Sequence, residues 1–166
     1  MKKILKWIGI SLVVLVVVIQ IIRPAKTNPE VDETKTMQAN TQMSPEVASV
    51  LDRACSDCHS SKTTWPWYSQ IAPISWYVIR DVNNGRKELS FSDWGKYEPR
   101  RKARKLQELC EQVEKGEMPM KSYVLIHPTA SLSEPDKRLL CDWAKQERER
   151  LLASQAFEDS ATGDHK

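Results

Sequence analysis

The chain has 166 residues and a net charge of +3, and its residues are 40% apolar, 7% aromatic and 28% charged. This length suits one domain with short attachments rather than two full-sized domains. The small net charge, and the lack of interleaved basic and aromatic residues, exclude nucleic acid as an expected partner.

The first feature along the chain is an apolar segment, residues 4–22, interrupted by Lys6 near its start and Gln20 near its end. As a helix it would span about 28 Å, close to the roughly 30 Å thickness of a bilayer's hydrocarbon core. It ends in Ile-Ile-Arg-Pro and offers no small-x-small cleavage site of a signal peptide. We therefore predict an uncleaved, single transmembrane helix within residues 1–23, although its flanking lysines leave the orientation open.

Three more regions follow this anchor. Residues 24–43 contain Pro24, Pro29 and many polar residues without apolar periodicity, which predicts an extended tether. Residues 44–152 show helical patterns and form the predicted domain. Residues 153–166 are small and polar, which is typical of a flexible tail.

The domain is predicted to begin with a helix at Ser44, which supplies an N-cap followed by proline and glutamate in the first turn. Apolar residues then recur at the spacing of one buried helix face. These residues are Val47, Val50, Leu51 and Ala54. Cys55 and Cys58 continue the same face, so we expect both thiols to point inward.

Three later segments repeat the helical pattern, and no segment alternates with period two over a useful length, so we predict an all-α domain. Their apolar faces are Ile74, Val78 and Val82; then Ala103, Leu106, Leu109, Cys110 and Val113; then Leu139, Leu140, Trp143 and Leu151. Gly116 is expected to end the third helix and Ser133 to cap the last. Loops are predicted over residues 60–73 and 116–132.

The CxxCH motif, residues 55–59, carries the strongest chemical signal. Two thiols one helical turn apart can add to the two vinyl groups along one porphyrin edge, and His59 then offers its imidazole to the iron. Zinc would need a fourth ligand that no second CxxC or HxxxH supplies. A thiol–disulfide redox motif expects a βαβ setting. A chance triplet is the last alternative, and we predict one covalent haem c at Cys55, Cys58 and His59.

An electron carrier needs a second iron ligand on the face opposite His59. We predict Met118, because it lies in a loop and Pro119 stiffens the backbone behind it. Met120 is the nearest rival, and His127 would give two histidine ligands. An open or water-bound site is the remaining alternative.

The proximal imidazole needs a carbonyl to hold its other nitrogen, and the loop over residues 66–73 is close and rigid enough to provide one. Four aromatic side chains are expected to exclude water from the iron: Trp65, Trp67, Tyr68 and Trp76.

The stretch from about Ser44 to Leu152 resembles a bacterial haem-binding domain family whose members share a single CxxCH and are often membrane-anchored. The resemblance rests on residues 55–60, Trp65-Pro66-Trp67-Tyr68-Ser69, Ile71-Ala72-Pro73, Gly116-Glu117-Met118-Pro119, Tyr123 and His127-Pro128. More distantly, the order of helices and motifs is similar to that of class I cytochromes c. The second methionine at position 120 departs from the family pattern.

The resemblance implies haem c at Cys55, Cys58 and His59. It also implies assembly outside the cytoplasm, where c-type haem is attached. The domain after the anchor would then face the periplasm or exterior of the inner membrane.

Two other features are open to more than one interpretation. Residues 100–105 hold five cations in six positions, which favours a solvated helix face over a docking patch for an acidic redox partner or anionic lipid. Cys110 and Cys141 are isolated in sequence, and we predict two small buried apolar residues rather than a disulfide.

The leading functional hypothesis is a membrane-anchored, single-haem electron-transfer protein with redox proteins and membrane lipid as partners. No general base, paired carboxylate or nucleophile is evident, so no catalytic residue is predicted. The runner-up is a haem-based sensor or peroxidase-like enzyme with an open distal site. A non-haem metal or scaffold protein is third.

Overall fold

The computed structural model describes the backbone of residues 1–163 and the side chains of residues 1–157. Within these residues the chain forms helices and no strands, which confirms the predicted all-α class. The α-helices are α1 (Lys2–Ile19), α2 (Met37–Asn40), α3 (Pro45–Ala54), α4 (Ser56–His59), α5 (Ile74–Glu88), α6 (Pro99–Glu114), α7 (Lys121–Ile126) and α8 (Glu134–Gly163). Short 3₁₀ turns lie at Glu33–Lys35, Trp67–Gln70, Trp94–Lys96 and Pro128–Ala130.

Helix α1 contributes no buried residue to the domain. Among the described residues, no helix is long and apolar enough to cross a membrane, so the predicted transmembrane helix is not supported. The predicted transmembrane helix extended over residues 4–22, whereas α1 ends at Ile19. Gln20 binds the domain instead: its side-chain amide donates to the Ala72 carbonyl at 3.0 Å, and its amide oxygen accepts from the Ala72 N–H at 2.9 Å.

The predicted tether packs on the domain in its second half. The Thr36 hydroxyl caps α2, and Met37 on that helix is only 2% exposed and belongs to the hydrophobic core. The Gln42 N–H donates to the Glu147 carboxylate at 2.8 Å. The second half of the predicted tether is therefore not extended but packed on the domain. The sequence did not indicate this, because one deeply buried methionine creates no apolar periodicity.

The core lies between α3, α6 and α8. Helix α3 begins as predicted, with the Ser44 hydroxyl accepting from the Val47 N–H at 3.3 Å, and all four residues of its predicted face are buried. Trp94, Leu106 and Leu140 are almost completely inaccessible at the centre. Most residues of the predicted apolar faces of α6 and α8 are buried, whereas Leu109, Leu139 and Leu151 are half-buried. Trp94 begins a short 3₁₀ turn, and no helical pattern indicated it.

The predicted loops contain short helices, and α8 is longer than expected. Helix α7 lies inside the predicted loop over residues 116–132. The Ser133 hydroxyl accepts from the Asp136 N–H at 3.3 Å, which confirms the predicted cap of α8. This helix continues to Gly163, so the predicted flexible tail is helical as far as that residue, and residues 164–166 lie outside the described part.

A disulfide joins Cys110 on α6 to Cys141 on α8, with their Cα atoms 4.9 Å apart. The prediction of two unbonded cysteines was therefore wrong. Each cysteine does lie on the buried face of its helix, as predicted, and these two faces pack against each other. Helix packing brings together two residues 31 positions apart, which isolated spacings in a sequence cannot indicate.

We predict that Cys110→Ala combined with Cys141→Ala lowers the free energy of unfolding by about 3–4 kcal/mol, because the open loop regains conformational entropy in the unfolded chain. Chemical denaturation followed by circular dichroism measures this change. A reducing agent should lower the stability of the wild type to the same level and leave the double variant unchanged. Equal stability of wild type and double variant would contradict a stabilising disulfide.

Candidate functional site

The CxxCH motif occupies a kink between two helices. Helix α3 ends at Ala54, Cys55 leaves helical geometry with φ −129°, and α4 then forms a single turn. The Cys55 carbonyl accepts from the N–H groups of Cys58 and His59 at 3.2 and 3.0 Å, which closes this turn. As a result, both cysteines and His59 line one cavity of about 200 Å³, which agrees with the predicted inward direction of the thiols.

Burial controls the protonation of the two thiols, which are unbonded. Loss of solvation raises the pKa of Cys55 to about 12, and the neighbouring Cys58 adds to the effect. Burial also raises the pKa of Cys58 to about 11, with Asp57 and Asp81 acting in the same direction. Both groups are therefore neutral thiols at neutral pH.

The His59 ring is held by a backbone carbonyl. Its Nδ1 lies 2.9 Å from the Leu89 carbonyl oxygen, and because that oxygen can only accept, Nδ1 carries the proton. Burial lowers the pKa of His59, so the imidazole is neutral at pH 7 and Nε2 keeps its lone pair. The prediction that the loop over residues 66–73 supplies this carbonyl was wrong, because α5 ends beside His59 and places Leu89 there.

Helix α5 approaches the motif at Gly85. A Cβ atom at this position would lie 2.5 Å from the Cys58 carbonyl oxygen and 3.1 Å from its carbonyl carbon. Only a residue without a side chain allows the two backbones to come this close. The Arg86 side chain then donates from Nε to the Ser60 carbonyl at 2.7 Å. Sequence reasoning did not indicate this packing role of Gly85.

Three adjoining cavities surround the motif, and they separate the three candidate distal ligands. Met118 lines the first cavity and a second one of about 260 Å³, and His59 lines both. Met120 lines the first cavity and a third one of about 160 Å³. His127 lines only the third cavity, which His59 does not reach. Of the three candidates, Met118 therefore shares the most space with His59.

Backbone hydrogen bonds hold Met118 at the end of α6. Gly116 adopts φ +68°, a left-handed conformation that ends the helix as predicted. The N–H groups of Glu117 and Met118 then donate to the Gln112 carbonyl at 3.0 and 3.2 Å. The loop thus turns back toward α6, and the Met118 side chain enters the cavities.

His127 is occupied by other partners. Its Nε2 lies 2.6 Å from the Tyr68 hydroxyl, and its ring stacks on Tyr123 at 4.4 Å between centroids. The Tyr123 hydroxyl donates to the Asp57 carboxylate at 2.8 Å. Burial raises the pKa of Tyr123, and this hydrogen bond acts in the same direction. Sequence reasoning assigned no role to Asp57, because Tyr123 lies 66 positions away along the chain.

The other predicted residues divide between cavity and surface. Ile74 and Val78 line the third cavity, whereas Ser75 and Ile79 are the buried neighbours of Val82 on α5. Among the four aromatic residues expected to exclude water, Tyr68 lines this cavity. Trp67 is 76% exposed, and Trp65 and Trp76 line none of the three cavities described above.

The cationic segment over residues 100–105 is largely a surface of α6. Lys105 is the exception, because it is buried and donates to Glu108 at 2.7 Å. Arg101 lies 4.2 Å over the Tyr97 ring. The other cations of the segment are exposed or half-buried, which leaves the docking interpretation untested.

Comparison with known proteins gave one family. The model of a family described as the haem-binding domain matches residues 14–146. Neither the curated proteins nor the solved structures contain a significant match to the chain.

We predict that Gly85→Ala destabilises the fold. The added methyl group would overlap the Cys58 carbonyl, and such overpacking lowers the free energy of unfolding by about 1–3 kcal/mol. This loss exceeds the roughly 1 kcal/mol that alanine gains over glycine in helix propensity. Thermal unfolding measures the effect. Gly9→Ala on α1 is the matched control, because nothing lies within 4 Å of its added Cβ. An unchanged midpoint for Gly85→Ala would refute the close contact.

Proposed function

Because the chain belongs to the haem-binding domain family, and is therefore a haem-binding protein, we propose that its haem is of c type and that the protein transfers single electrons. Cys55 and Cys58 would bind the porphyrin covalently. Each thiol would add across one vinyl group, with the sulfur on one carbon and the thiol hydrogen on the other, which leaves two thioether bonds.

One observation carries this proposal: Cys55, Cys58, the unprotonated Nε2 of His59 and Met118 belong to one cavity. The chemistry of this donor set fits haem c, which needs two thiols, an imidazole and, in many electron carriers, a thioether. The carbonyl of Leu89 would hold the imidazole in the orientation needed for iron binding.

The bound haem supplies an iron that changes between the ferric and ferrous states. The protein's own residues would set the environment of that change. A Met118 thioether favours ferrous iron and raises the reduction potential. Tyr68, Val78 and Val82 line the adjoining cavity and would limit the access of water. We propose no catalytic residue, because electron transfer needs no general base or nucleophile.

We further propose that the domain works outside the cytoplasm and is attached to a membrane by α1. The Cys110–Cys141 disulfide supports an oxidising compartment. The apolar side chains of α1 support the attachment, since its leucines and valines are 48–72% exposed in the protein. Redox proteins at the membrane are the proposed partners, and exposed cations such as Arg100, Arg101 and Arg104 would attract acidic ones.

The covalent bond is tested by mass spectrometry of denatured protein that was produced with the c-type haem assembly machinery. We expect the wild type to carry the added mass of one haem, and Cys55→Ala combined with Cys58→Ala to carry none. The matched control is Cys110→Ala combined with Cys141→Ala, which should retain the haem mass. Wild-type polypeptide without added mass would exclude the c-type proposal.

The distal ligand is tested by visible absorption of the ferric protein. We expect the weak long-wavelength band of methionine–iron bonding in the wild type, its loss in Met118→Ala, and its retention in Met120→Ala. Loss in Met120→Ala alone would assign the ligand to Met120. A high-spin spectrum in the wild type would favour a sensor or peroxidase-like enzyme with an open site.

A further inference from the structure

A group of exposed apolar side chains lies in the segments that line the third cavity, and three of its members line the cavity themselves. We define the apolar rim as Trp67, Ile71, Ile74, Tyr77, Leu125 and Ile126. After residue 22, eight large apolar side chains are exposed in the described part of the chain, and the rim contains six of them. Such clustering marks an interaction surface, whereas scattered exposed apolar residues are ordinary.

Half of the rim residues lie in the wall of the cavity next to the CxxCH motif. Ile74, Tyr77 and Ile126 are about half exposed and also line this cavity, which has Cys58 in its wall. The rim therefore combines residues from the start of α5 and the end of α7. A partner that covered the rim would also cover the cavity.

The rim continues directly into the end of α1. The Gln20 side chain bonds both backbone groups of Ala72, next to Ile71. The indole N–H of Trp76 donates to the Ile22 carbonyl at 2.7 Å. These contacts place the last apolar residues of the α1 segment, Ile21 and Ile22, beside the rim, and both are exposed.

The charge around the rim suits an anionic lipid surface. The two segments that carry the rim residues, 58–80 and 118–133, contain no aspartate or glutamate, although the chain has 22 acidic residues. Two carboxylates, Asp57 and Asp81, do line the cavity itself, where Asp57 accepts from the Tyr123 hydroxyl and Asp81 pairs with Arg80. Arg23 and Lys121 are exposed beside these segments and form no ion pair among the described residues. Tryptophan and tyrosine are also the residues preferred at the membrane–water interface, and the rim offers Trp67 and Tyr77.

We propose that the apolar rim rests on the surface of the membrane to which α1 attaches, so that the cavity beside Cys58 faces the lipid. This inference rests on the proposed attachment through α1. The occupant is a bilayer containing anionic phospholipid. Exposed aromatic and aliphatic side chains enter the interface, while Arg23 and Lys121 contact lipid headgroups.

Amide hydrogen exchange of the full-length protein, with and without vesicles of phosphatidylethanolamine and phosphatidylglycerol, tests the proposal. We expect vesicles to slow exchange several-fold in residues 2–19, 67–77 and 121–127, and to leave residues 134–150 of α8 unchanged. Slowing in residues 2–19 alone would overturn the rim proposal and retain the attachment. No slowing in residues 2–19 would overturn the attachment and the rim proposal with it.

A variant of exposed residues separates the rim from α1. Leu125→Asp combined with Ile126→Asp places two carboxylates where the lipid surface would be, and both side chains are exposed enough for the fold to tolerate the change. We expect this variant to lose the vesicle effect in residues 67–77 and 121–127 and to keep it in residues 2–19. Leu152→Asp, at an exposed leucine of α8, should behave like the wild type. Retained slowing at the rim in the double variant would refute the contact.

Discussion

The close contact between α4 and the last turns of α5 is the constraint on which the site depends. Gly85 admits the Cys58 backbone, Arg86 donates to the Ser60 carbonyl, and the Leu89 carbonyl accepts a hydrogen bond from His59 Nδ1. These three contacts come from five consecutive residues, so a small shift of α5 would move the thiols and the imidazole together. The geometry of the CxxCH motif is therefore a property of helix packing as much as of its own sequence.

Local sequence patterns predicted the features that depend on local physics. The Ser44 cap, the apolar face of α3, the stop at Gly116 and the inward thiols each follow from residues a few positions apart, and the structure confirms them. The Leu89 carbonyl could not be predicted as the partner of His59 in this way, because every residue has a carbonyl. Only the position where α5 ends determines which carbonyl lies beside the imidazole. Trp94 and Met37 were missed for a related reason, since isolated residues in loops or single turns produce no periodic signal.

The two cysteine pairs show why spacing alone misled the disulfide prediction. Cys55 and Cys58 have an informative spacing but remain unbonded, whereas the widely separated Cys110 and Cys141 are joined. The packing of α6 against α8 brings Cys110 next to Cys141. The high pKa of the buried Cys55 and Cys58 thiols keeps them protonated, and protonated thiols attack disulfides slowly. The fold thus keeps the two pairs chemically separate, which would suit the proposed attachment of haem to Cys55 and Cys58.

Helix α5 also joins the proposed membrane contact to the CxxCH site. The turn that begins it carries Ala72, which binds Gln20 after α1, and its end holds His59 through Leu89. Its 15 residues correspond to a length of about 22 Å, and a packed helix of this length bends little. Arg86 reinforces the same arrangement, because its guanidinium also donates to the Thr27 carbonyl at 2.6 Å. One rigid element therefore fixes how far His59 lies from the segment proposed to meet the lipid, and under that proposal the separation would govern which redox partners reach the haem.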